Sequence, residues 1–185
     1  MKILFLSPHI HLIDYLIKDG DEVTQTIEPL TEKLLKDQEF IISYGYRYKI
    51  DKPILDRFKD RVINLHISYL PWNRGADPNL WSFLDNTPKG VTIHFLDEGI
   101  DTGDIIAQRY VKFDIENDTL RTTYKKLSEC IEDMFKKVWP YIRQGKAKRY
   151  KQVSFHTSKD KNAYKAIMHA GWDTPIKDVI GRGKK

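Results

Sequence analysis

The sequence predicts an α/β fold: a doubly wound, mostly parallel sheet with a mixed edge, followed by a long C-terminal helix. Three observations predict it. Short apolar runs alternate with helix-period segments through the first half of the chain, as repeated strand–helix–strand units do. Two strand-like runs, GVTIHFLD and DIIAQRYVKFD, then follow one another with only a loop between them, which implies a mixed edge. Beyond them Leu120, Tyr124, Leu127, Ile131, Met134, Phe135 and Val138 recur at three- and four-residue steps, giving a helix one apolar stripe.

Taken in order, KILFLSP reads as the first strand, followed by a helix over residues 9–19 that ends at Gly20. EVTQTI is the second strand, TEKLLKDQ a short helix, FIISYG a buried strand and KPILDRFKD a helix. VINLHIS is the next strand and PNLWSFLDN the helix after it. Asp118 or Thr119 caps the long helix, and Pro140 is expected to kink or end it, because proline lacks the N–H that an interior turn needs. SFHTSKDKNAYKAIMHAGWDTP carries a short helical pattern, with Trp172 covering a sheet edge or a partner subunit. The expected organisation is a catalytic domain over 1–150 and an extension over 151–185, packed on that domain or on a partner.

The 185 residues, 41% apolar, suffice for one core of full size. No run approaches the roughly 18 apolar residues of a membrane span, and no membrane association is expected. MKILFLSPHIHLIDYL is interrupted by Pro8, His9, His11 and Asp14 and lacks a small-residue cleavage site, so it reads as a strand of a cytoplasmic protein. The single Cys130 excludes an internal disulfide and a multi-cysteine metal site. The net charge of +5 gathers in residues 136–151 and in GRGKK, which read as a solvated helix end and tail; a nucleic-acid partner is not expected. No glycine-rich nucleotide fingerprint follows the first strand, which argues against a nucleotide-cofactor dehydrogenase or a P-loop enzyme.

In VINLHIS the alternation puts Ile63, Leu65 and Ile67 on one face and Asn64, His66 and Ser68 on the other. A central parallel strand is apolar on both faces, so three polar groups at its carboxyl end mark the edge where α/β sheets bind ligands. GVTIHFLD leads into DEGIDTGD, which lacks the spacing of a calcium loop and reads as a tight turn aiming the Asp101 carboxylate; no metal is expected. An amide, an imidazole and a carboxylate supply a carbonyl polariser, a proton carrier and a group to orient that carrier. His94, flanked by Ile93 and Phe95, reads as a core residue, and His9 and His11 can line a substrate mouth. Trp72, Asn73, Arg74, Asp77 and Trp81 cluster after the motif strand, where an aromatic can stack on a ring and Asp77 or Asn73 can orient hydroxyls; the competing reading packs Trp81 in the core and pairs Arg74 with Asp77.

N-L-H-I-S-Y-L-P, R-G-A-D-P-N-L-W, G-V-T-I-H and D-E-G-I-D-T-G-D-I-I-A-Q, in that order, resemble the formyltransferase family that uses N10-formyltetrahydrofolate, densely over residues 40–114 and weakly to about 146. FIISYGYRYKI resembles the family's strand and loop beside the folate pocket. The resemblance implies a Rossmann-like formyltransferase fold with Asn64, His66 and Asp101 as the catalytic residues. It implies N10-formyltetrahydrofolate as formyl donor, held near Tyr44, Tyr46, Arg47, Tyr48, Leu96, Asp97, Gly99 and Ile100, largely through backbone groups. It places Ser68, and the loop bearing Trp72, Arg74 and Asp77, toward the acceptor substrate. SPHIH stands where the purine-pathway members carry a glycine-rich phosphate loop, and 185 residues leave no room for the barrel domain of the tRNA enzymes. The chain therefore looks most like a sugar N-formyltransferase acting on the amine of a nucleotide-linked amino sugar, with a homodimer as a candidate assembly. Hydrolysis of the formylfolate and a non-catalytic folate-binding module stand as alternatives.

Overall fold

The computed structural model describes residues 1–153 and 167–183. Its sheet has six strands in the order β2-β1-β3-β4-β5-β6. β1 (Lys2–Leu6) lies between β2 (Glu22–Thr26) and β3 (Phe40–Ser43), and β3 pairs with β4 (Val62–His66), all in parallel. β5 (Gly90–Phe95) runs antiparallel to β4, and β6 (Ile105–Tyr110) antiparallel to β5. β6 reverses against β5 because only residues 96–104 join the two, too few for a crossover helix.

The central strands are buried on both sides, and their side chains alternate between faces to build a core on each. Ile3, Phe5, Ile42, Ile63, Leu65 and Ile93 pack against the stripe of α5 (Leu120–Arg143), which contributes Leu127, Ile131, Met134, Phe135 and Trp139. Each such buried side chain contributes about 1.5–3 kcal/mol. Leu4, Leu6, Ile41 and Val62 face the other way, onto Leu35 of α2 (Glu32–Leu35), Leu55 of α3 (Lys52–Arg57) and Phe58. A third cluster joins α4 (Pro78–Leu84) to Leu120, Ile176 and Val179, so residues 167–183 pack against α4 and the start of α5. Trp81 belongs to this cluster and is core.

Two sequence expectations change. The first helix, α1, spans only Ile13–Lys18, because the chain turns after Pro8 and the Ser7 hydroxyl accepts the His9 N–H at 2.9 Å, which fixes the turn. Pro140 does not end α5, which continues to Arg143. The carbonyl that proline leaves without its helical partner, Lys136 O, accepts the Tyr15 hydroxyl at 3.0 Å, so the lost bond is replaced from α1. Thr119 caps the helix through a reciprocal pair with Thr122. The basic segment is turned to carboxylates: Arg143 pairs with Asp19 and Asp21, Arg149 with Asp60 and Asp104, and Lys151 with Asp104. The helical pattern read across residues 154–166 lies outside the described residues. No helix among the described residues is long and apolar enough to cross a membrane.

Candidate active site

β4 delivers Asn64 and His66 to the carboxyl edge of the sheet, as its two-residue alternation requires. The antiparallel register opposes Asn64 to His94 and His66 to Thr92. The loop from Leu96 to Asp104 then folds back over this edge. Its shape depends on glycine: a Cβ on Gly103 would lie 1.9 Å from the Phe95 carbonyl oxygen. Asp101 itself adopts φ 52°, which aims its carboxylate back at β4.

Four groups converge on that carboxylate. The Gly75 N–H donates to Oδ2 at 2.8 Å and the Asn64 amide to Oδ1 at 3.1 Å. His66 Nδ1 lies 3.6 Å from Oδ2, and His94 Nε2 3.4 Å from Oδ1. Burial opposes charge on Asp101, but the His66 and His94 imidazoles and the Gly75 N–H outweigh it and hold the carboxyl well below the ordinary carboxylate range. His66 is buried, and its Nε2 lies 3.1 Å from the Asn73 carbonyl oxygen. The loop between β4 and α4 therefore serves both partners, with a carbonyl for His66 and an N–H for Asp101. Gln152 ties this loop to the next: its amide donates to the carbonyls of Asp101 and Gly103 at 2.9 and 2.7 Å, while its oxygen accepts Arg74 Nη2 at 2.7 Å.

The edge opens into a cavity of about 1030 Å³. Asn64, His66 and Asp101 line it, as do all the residues assigned to the donor wall: Tyr44, Tyr46, Arg47, Tyr48, Leu96, Asp97, Gly99 and Ile100. Of Ser68, Trp72, Arg74 and Asp77, the residues assigned to the acceptor side, only Asp77 lines it. Ser68 is buried with its hydroxyl on the Trp72 carbonyl at 2.9 Å, closing the turn beneath the loop. Trp72 is half-buried in that turn, and Arg74 reaches Gln152, so neither is part of the lining. Asn73 is buried and donates to Thr87 at 2.7 Å.

His94 is fully buried, as expected of a core residue, and it also meets the carboxylate. Its Nδ1 donates to the Phe95 carbonyl at 2.8 Å, which turns Nε2 to the Asn64 amide at 3.3 Å and to Asp101. Its parity with Thr92 in GVTIHF, facing the polar side of β4, is the signal in the sequence. Arg121, Tyr124 and Trp172 also line the cavity, brought there by the packing of α5 and the C-terminal segment; His9 joins them from the loop after β1.

An amide, an imidazole and an ionised carboxylate around one cavity can polarise a carbonyl and move a proton, which is acyl-transfer chemistry. The sequence profile of the formyl transferase family matches residues 20–138. The methionyl-tRNA formyltransferase of Finegoldia magna is 36% identical over 124 residues, which cover 60% of this chain and 40% of that protein. The chain thus spans less than half the length of this curated relative. Among solved structures, the formyltransferase PseJ from Anoxybacillus kamchatkensis, in complex with UDP-4,6-dideoxy-4-formamido-L-AltNAc and tetrahydrofolate, is 54% identical with a TM-score of 0.93, covering 100% of both chains. The phosphoribosylglycinamide formyltransferase of Bacillus halodurans is 26% identical with a TM-score of 0.56, over 73% of this chain and 76% of that one. Profile, full-length structural likeness and the convergence of Asn64, His66 and Asp101 agree, and the chain belongs to the formyl transferase family.

Proposed function

We propose that this chain transfers a formyl group from N10-formyltetrahydrofolate to the primary amine of a nucleotide-linked amino sugar, and that the acceptor is a UDP-linked 4-amino-4,6-dideoxy sugar. The observation that carries the reading is a single cavity that straddles the sheet edge, with Asn64, His66 and Asp101 at its middle. On one side Ile50, Leu55 and Leu96 give an apolar floor, rimmed by the backbone of residues 44–50 and 96–101. That suits a flat, hydrogen-bonding pterin. The side lined by His9, Arg121, Tyr124 and Trp172 is left for the acceptor. The likeness to PseJ, whose complex holds a formylated UDP-sugar and tetrahydrofolate, supports the acceptor class.

When bound, N10-formyltetrahydrofolate supplies the formyl carbonyl. Asn64 and protonated His66 act as donors to the oxygen that gains charge as the amine attacks. In the structure both are paired internally, Asn64 with Asp101 and His66 with the Asn73 carbonyl, and the substrate oxygen replaces those acceptors. Asp101, ionised throughout the neutral range, orients His66 and takes the proton released by the amine, directly or through water; that proton would pass to N10 as the bond between N10 and the formyl carbon breaks and tetrahydrofolate leaves. Within this reading 1–150 is the catalytic unit, 151–185 its extension, a homodimer the assembly, and the cytoplasm the place of reaction.

The test is to incubate the chain with N10-formyltetrahydrofolate and a UDP-linked 4-amino sugar and follow the sugar by mass spectrometry. Gain of one formyl group, dependent on both substrates, is expected. Formate release with no change in the sugar would instead mean hydrolysis. Folate binding without turnover would mean a retired site.

A further inference from the structure

We propose that the Trp172 indole, backed by Tyr124, is the stacking seat for the nucleobase of the acceptor. The inference rests on the reading of the acceptor as a nucleoside-diphosphate sugar, and it assigns the end of that molecule farthest from the reacting amine.

Trp172 lies in a short 3₁₀ turn, Gly171–Asp173, remote in sequence from the catalytic strands. It lines the cavity yet is 42% exposed, whereas Trp81 and Trp139 are buried. The turn is nonetheless firmly built. Arg121 of α5 grips Asp173 through two bonds of 2.7 and 3.0 Å. Leu120 N–H donates to the Thr174 carbonyl at 3.1 Å, and Ile176 N–H to the Asp118 carbonyl at 3.0 Å. The Thr174 hydroxyl closes the turn on the Gly171 carbonyl at 2.7 Å. A large apolar ring is thus held in a fixed place with much of its surface in water, an arrangement that adds little to folding and suits a ligand that covers it.

The ring's neighbours point to the same use. Tyr124 meets Trp172 edge-on, with centroids 6.0 Å apart and planes at 62°. The Tyr124 hydroxyl bonds His9 Nε2 at 3.1 Å, and the His9 ring lies 4.5 Å from that of Tyr44. A run of rings, Tyr44, His9, Tyr124 and Trp172, therefore follows the α5 side of the cavity and ends at the indole. The pterin floor lies on the other side of the sheet, so the sugar, two phosphates and ribose leave the centre along this run. The base at their far end meets a flat π surface, which stacks any base.

Binding of UDP alone, followed by calorimetry and by quenching of tryptophan fluorescence, tests the assignment. Wild-type protein is expected to bind UDP, Trp172→Ala to weaken it roughly ten-fold or more, and Trp172→Phe to retain part of the affinity. Tetrahydrofolate affinity stays unchanged in both variants, which reports an intact fold. In the transfer assay Trp172→Ala raises KM for the UDP-sugar with kcat within about three-fold. Equal UDP affinity in wild type and Trp172→Ala overturns the inference even if formyl transfer is intact. A dimer that Trp172→Ala dissociates, with UDP affinity unchanged, also overturns it and gives the ring to a second copy of the chain. Absence of both UDP binding and formyl transfer in the wild type overturns the functional reading itself.

Discussion

Replacing Asp101 with asparagine removes one charge from the centre at almost constant volume. The imidazole assigned to the chemistry, His66, has its Nδ1 3.6 Å from Oδ2. At an effective dielectric constant of about 20, unit charges at that distance attract by about 5 kcal/mol. At 1.36 kcal/mol per decade this bounds the rate loss at between three and four powers of ten. Relaxation and water recover part of it, so kcat is expected to fall by roughly 10²–10³, within the range for a positioned acid–base group. The carboxamide also offers one oxygen where Asp101 offers two, so either the Gly75 N–H or the Asn64 amide loses its acceptor, costing stability of about 1–3 kcal/mol. Single-turnover formyl transfer measures the first effect and urea denaturation the second, with folate titration as the control for an intact pocket. Turnover within five-fold of wild type, in a variant that still binds folate, would refute the assignment of Asp101 and the acyl-transfer mechanism built on it.

Other perturbations test the scaffold around the trio. Gln152→Leu removes the amide that holds the Asp101 and Gly103 carbonyls; kcat should drop about ten-fold or more, with UDP affinity unchanged and a stability loss of about 1–3 kcal/mol by urea titration. Gly103→Ala sets a methyl against the Phe95 carbonyl, so the loop must move; a lowered melting temperature and activity loss comparable to that of the Asp101 variant are expected, and wild-type turnover would contradict the shape assigned to the loop. Burial lowers the His9 pKa below its ordinary 6.5, with Glu132 opposing and His11 assisting the shift. The unfolded chain then binds the extra proton, so stability is full above pH 6.5 and declines as pH falls below it; His9→Gln should flatten that slope in urea titrations run at successive pH values.

The strand that bears Asn64 and His66 could be read from the sequence because alternation is local: once VINLHIS is a strand, the two must share a face. The Asp101 loop was legible for a related reason, since its glycines mark a backbone shape few other residues adopt. The substrate side was harder. Ser68, Trp72 and Arg74 have the composition of a binding loop, but Ser68 and Trp72 close its own turn and Arg74 reaches Gln152. His94 looked apolar by its neighbours along the chain, whereas its partners come from the opposing strand and from the loop beyond.

By itself the sequence determined the α/β class, the long amphipathic helix, and the strand and loop that bear Asn64, His66 and Asp101. Each follows from periodicities of two and 3.6 or from a motif whose parts lie close together. Only the tertiary structure decided that Pro140 is tolerated, that His94 faces Asp101, and that a tryptophan some seventy residues beyond the catalytic loop stands at the mouth of the same cavity. Those outcomes depend on which surfaces meet when the C-terminal segment and α5 pack against the sheet, and long-range packing leaves no local periodic trace in a chain.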